Sequence, residues 1–177
     1  MTNRTTSDTE ADSVSSDKDT AHHEAGHAVI GCVYGRPPSS VTIVRNGPAA
    51  GKAEFDPDIP NFARSYLNQS TQKRAYTEAR VVGELAGSAA HDLFRPGRTP
   101  DQGDEHDLRW AKELIGELVS WEDHDKYLEQ ARAKAKQLLT NNWEWVQAIA
   151  RALLERKTLS RHEILDLNPN KRCVPRN

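Results

Sequence analysis

Apolar positions recur with a helical period over most of this chain, and a β-branched run interrupts that period once, early on. Ala28, Val29, Ile30, Cys32 and Val33 predict an amphipathic helix over about 20–34, started by Asp17, Asp19 or Thr20 as cap and stopped by Gly35, Pro37 and Pro38. Val41-Thr42-Ile43-Val44 reads as a strand, Asn46-Gly47-Pro48 as a turn, and about 51–56 as a second strand completing a hairpin. Residues 57–68, punctuated by Pro and Asn, predict a loop. Ala75, Ala79, Val82, Leu85, Ala86, Ala89 and Leu93 then predict one long helix over 70–94, whose small side chains suit close packing against another helix. After a Pro- and Gly-rich loop over 95–103, the pattern predicts helices over about 104–119, 122–139 and 142–156, and a last turn or two over 160–167. The expected fold class is mainly α with a small β-hairpin, an α+β domain. Of Trp121, Trp143 and Trp145, two are expected in the core, since Trp145 continues into Ile149 and Ala152.

Residues 1–18 hold almost nothing apolar and are expected to be a disordered leader, with the domain at 19–168 and a frayed tail at 169–177. A length of 177 residues suits one core. The net charge of −2, with 24 basic side chains dispersed among 26 acidic ones, makes no electrostatic case for nucleic acid. Two cysteines, Cys32 and Cys173, are too few for a disulfide framework. With no apolar run near the ~20 residues of a membrane span and no secretory signal, the expected location is cytoplasmic. Gly47 to Lys52 has a faint likeness to a phosphate loop, but three residues separate its glycines and Ala53 stands where a magnesium-binding hydroxyl is needed.

The chemistry-bearing stretch is His23-Glu24-Ala25-Gly26-His27, which has the form H-E-x-x-H. On a helix, positions i and i+4 share a face, so His23 and His27 can offer two imidazole nitrogens to one zinc ion. Glu24, beside them, can act as the base toward water. His22 points about 100° away and is expected at the surface or in a cap.

Three protein donors are usual at a catalytic zinc. Ile30 and Val33 stand where a metzincin would carry glycine and a third histidine. A glutamate on a later helix would follow thermolysin, making Glu78 and Glu84 formal candidates. Stepping the apolar stripe of Ala111, Leu114 and Leu118 backwards lands on Asp107 and then Asp104, whereas Glu105 and His106 continue into charged positions. Phase therefore favours Asp107 as the third ligand, with Asp104 behind it or as the alternative. Both acids also suit a helix start, Asp104 as a cap and Asp107 in the first turn.

Several stretches, taken together in order and spacing, resemble the protease domain of the FtsH family of ATP-dependent zinc metalloproteases. These are Ala21–Ile30, Val41–Val44, Glu84–Asp92, Gly103–Leu108 and Leu153–Leu159, and the resemblance covers about residues 20–167. It implies zinc on His23, His27 and Asp107, Glu24 as base, and an extended polypeptide substrate lying along Val41, Thr42, Ile43 and Val44. It further implies a zinc endopeptidase acting on extended or unfolded segments, with a separate ATPase or adaptor chain as a partner. The family's acid after its paired alanines is replaced by His91, and its Gly-Gly-Arg by Ala86-Gly87-Ser88. Those departures motivate an alternative function: a non-catalytic, zinc-stabilised adaptor that binds peptide. The oligomeric state is not legible.

Overall fold

The computed structural model describes residues 6–46, 50–56 and 70–170. Helix α1 spans Thr6–Val33, followed by strands β1 (Ser40–Thr42) and β2 (Lys52–Glu54), helices α2 (Ser70–Glu84), α3 (Ala86–Phe94) and α4 (Gln102–Gly116), and a 3-10 turn at Trp121–Asp123. Helices α5 (His124–Asn141) and α6 (Trp143–Arg156), strand β3 (Thr158–Ser160) and the short α7 (Arg161–Asp166) complete the chain. The mainly helical fold with a small sheet is as expected; the predicted loop over 57–68 and most of the 46–48 turn lie outside the described residues.

Helix α1 begins well before residue 20, so the leader expected to be disordered is helical from Thr6. No glycine or proline occurs from Thr6 to Ala25, and acids near a helix N-terminus oppose its dipole. The proposed caps sit inside the helix: Asp17 accepts from Lys157 at 2.9 Å and Asp19 pairs with Arg95 at 3.1 Å. The stop is as the sequence suggests. Gly35 takes φ 71°, its N–H reaches Cys32 O at 3.0 Å, and Arg36 N–H reaches Gly31 O at 2.7 Å, the two bonds of a Schellman motif.

One stripe of α1, formed by Ala21, Ala25, Ala28 and Val29, is wholly buried. It packs mainly against α3 and α6, whose Ala86, Ala90, Val146, Ile149, Ala150 and Leu153 are buried with it. Trp145 is buried and donates Nε1–H to Ile164 O at 3.0 Å. Trp143 packs against the core from its margin, and Trp121 is 84% exposed. His22 is a correction: it is buried, stacked on Phe94 with ring centroids 3.6 Å apart, because α3 and α6 flank α1 closely enough to cover it.

The long helix predicted over 70–94 is broken at Leu85 into α2 and α3. Periodicity continues through the break, which is why the sequence pattern conceals it. The break frees the Gly83 carbonyl, in the last turn of α2, to accept from His27 Nδ1 at 2.8 Å.

The hairpin expected from Val41–Val44 and 51–56 forms, with shorter strands, and gains a third strand, Thr158–Ser160, where no strand was expected. The order is β2-β1-β3, all antiparallel, with Val41 opposite both Ala53 and Leu159. β1 is therefore central, and Val41 and Ile43 are buried. Of the expected substrate strand, Val41 and Thr42 are paired on both edges, whereas Ile43 and Val44 lie past the ladder.

Candidate metal centre

One turn of α1 sets His23 and His27 above one another, and the N-terminal part of α4 brings Asp107 across to them. His23 Nε2 and His27 Nε2 are 3.0 Å apart, and Asp107 Oδ2 is 3.0 Å from each. Two imidazole nitrogens and a carboxylate oxygen thus converge on one point, a donor set that suits zinc. Gly87, in the first turn of α3, leaves the room they need. A Cβ there would lie 2.4 Å from His23 Nε2 and 2.6 Å from His27 Nε2, so no side chain fits.

The far nitrogens are also held. His27 Nδ1–H donates to Gly83 O, fixing the tautomer that leaves Nε2 as donor atom. His23 Nδ1 lies 3.5 Å from Asp104 Oδ1 and 3.4 Å from His91 Nδ1. Asp104 is buried and forms a reciprocal capping box with Asp101, and its carboxylate also takes the Arg98 guanidinium.

Charge follows from these contacts. Burial opposes protonation of His23, but Asp104 and Asp107 outweigh it and push the imidazole up to about 10 in the bare protein. His27 is likewise raised, against burial, by Asp107. Burial works against the Asp107 carboxylate too, yet His23 and His27 hold it well below the usual range. Glu24 differs: burial raises its proton affinity, with His27 and His23 opposing. It is 6% exposed, it accepts from the Ala53 amide, and a Cβ on Gly51 would come within 2.8 Å of its Oε1.

The structure brings His23, Glu24, His27 and Asp107 together and places Asp104 directly behind His23. Glu84, at the end of α2, sits near enough for His27 and Asp107 to affect its charge but joins neither group of convergent donors. Glu78 faces solvent, paired with Arg74 at 2.9 Å. Sequence reasoning missed Gly83, Gly87, His91 and Arg98 as parts of the site. Glycines four apart inside a helical pattern are the one signal that was available.

Fold and site together define a helical domain with a His-His-Asp donor set and an adjacent glutamate. No protein-family model matches the chain. It is 29% identical over 168 residues to the ATP-dependent zinc metalloprotease FtsH 3 of Phytoplasma mali, covering 85% of this chain and 27% of that protein. Against the ATP-dependent zinc metalloproteases FtsH 4 of Sorangium cellulosum and FtsH of Haemophilus influenzae the identities are 27% and 28%, each over 82% of this chain. The chain spans 28% and 24% of those two proteins. It is thus related to a segment of the FtsH zinc metalloproteases. Among the described residues, no helix is long and apolar enough to cross a membrane.

Proposed function

We propose that the chain is a zinc-dependent endopeptidase that hydrolyses peptide bonds in extended or unfolded polypeptide. The observation that carries this reading is Glu24: a buried carboxylate of raised proton affinity, one residue from His23, beside the convergent donors. His23 Nε2, His27 Nε2 and Asp107 Oδ2 would hold the zinc ion, with Asp107 supplying one negative charge against its two. Bound there, zinc would polarise the scissile carbonyl and make water a stronger nucleophile.

Glu24 takes a proton from the attacking water and returns it to the leaving amine. Burial favours both halves of that task, since it raises the proton affinity of the carboxylate above its ordinary value. The Ala53 amide faces Glu24, which places this carboxylate beside β2. An extended substrate would pair at β2, the strand whose second edge is open among the described residues, and not at β1. The unit proposed to carry the activity is residues 19–168, in the cytoplasm, with a separate ATPase or adaptor chain presenting folded substrates.

The test is cleavage of unfolded casein or a labelled peptide by zinc-loaded protein, with and without a chelator. Glu24→Gln should abolish cleavage and retain zinc. A zinc-loaded wild type that cleaves no unfolded substrate overturns the reading and favours the peptide-binding adaptor.

A further inference from the structure

His23 belongs to two groups of convergent donors at once, using opposite nitrogens of its ring. Nε2 faces His27 and Asp107, while Nδ1 faces His91 and Asp104. The second group has the residue types of a metal site, but the Arg98 guanidinium already fills it, contacting both Asp104 Oδ2 and His91 Nδ1. His91 Nε2–H donates to Asp19 O at 2.7 Å, which leaves Nδ1 as the acceptor of that ring, turned to Arg98. His91 is 1% exposed, and Arg98 Nε is buried without a hydrogen-bond partner among the described residues, so the guanidinium is retained there against a desolvation cost.

We infer that Asp104, Arg98 and His91 form a positioning unit that sets the tautomer and angle of the His23 imidazole. Asp104 is its centre. Its Oδ2 takes Arg98 and the Asp101 N–H at 3.0 Å, leaving Oδ1 directed at His23 Nδ1 and His91 Nδ1. A carboxylate held in that way keeps the proton of His23 on Nδ1 and frees Nε2 to donate to metal. Arg98 neutralises Asp104 from behind and, as a fixed cation, excludes a second metal ion from the group. The inference rests on the metal reading of His23, His27 and Asp107, and it adds residues from the 95–103 loop and from α3 to the machinery.

The experiment is a zinc competition titration against a chromophoric chelator, with cobalt(II) absorption as a second readout and circular dichroism as the check of fold. Asp104→Asn, which keeps the shape and the carbonyl acceptor, should lower zinc affinity about 10–100-fold and alter the cobalt bands. Arg98→Ala should move both readouts in the same direction by less. Arg74→Ala, which breaks an exposed pair with Glu78, should leave affinity near wild type. Adding His91→Glu to Asp104→Ala places a carboxylate behind His23 from α3 and should recover part of the loss.

Wild-type affinity in folded Asp104→Asn and Arg98→Ala overturns the inference, as does an equal loss in Arg74→Ala. If Asp104→Asn does not fold, Arg98→Ala decides by itself. A wild type that binds no zinc overturns the metal reading and this inference together, whereas zinc binding without proteolysis overturns the endopeptidase reading alone.

Discussion

The two groups that share His23 have nearly the same composition and opposite fates. In one, His23, His27 and Asp107 converge with no basic side chain between them among the described residues. In the other, a guanidinium sits against His91 and Asp104. A cluster of imidazoles and a carboxylate therefore does not define a metal site by itself. What separates the two is whether the protein supplies its own cation. Gly87 keeps the first group empty of side chains, and Arg98 closes the second.

Removing the shared residue tests this most severely. His23→Ala should abolish measurable zinc binding in a chelator competition, because both the donor and the link to Asp104 go. Asp107→Ala should cost more than the roughly 100-fold upper end of a supporting-residue change. Glu84→Ala should stay near wild type in the same titration; a large loss there would move the third donor to α2. Wild type should take up one zinc per chain by elemental analysis, and two would show that Arg98 leaves room for a second ion.

Gly87→Ala sharpens the contrast by placing a methyl carbon in the open group. Its contact of 2.4 Å with His23 Nε2 forces the imidazoles aside, so zinc affinity should fall by at least 10-fold while Gly83→Ala, which meets nothing within 4 Å, falls far less. Isothermal titration of the two variants would show the difference.

Protonation gives a smaller, pH-dependent effect. His23 is raised from the ordinary 6.5 to about 10 in the bare protein, so its pairing with the carboxylates stabilises the fold fully below pH 6.5 and is lost as pH rises through about 10. Zinc must displace that proton. Uptake at pH 8 should release about one proton or more, measured from heats in buffers of different ionisation enthalpy, and affinity should weaken as pH falls. The smallest effect belongs to the exposed pair of Arg74 and Glu78: Arg74→Ala should change unfolding free energy by no more than about 0.5 kcal/mol and leave zinc affinity unchanged.

The helices and the first half of the site were legible because they rest on local rules. The spacing of His23 and His27 needs one turn of helix, and the phase of Ala111 and Leu114 points to Asp107 on the next accessible helix start. His91 and Arg98 carried no such signal. Their roles depend on α3 and the following loop folding back against α1, which sequence spacing does not encode. The break at Leu85 was hidden for the same reason: both halves keep the 3.6-residue period, and the freed Gly83 carbonyl finds its partner 56 residues away on α1.

By itself the sequence determined the mainly helical pattern and the one-turn spacing of His23 and His27, since composition and period act over a few residues. Only the tertiary structure decided that β1 is central, because β3 arrives from the far end of the chain and pairs with its second edge. Tertiary packing likewise decided that one donor group is open and the other filled, a matter of which cation reaches a buried carboxylate first. Arg98 reaches Asp104 across the turn that starts α4, where the capping box aims that carboxylate inward.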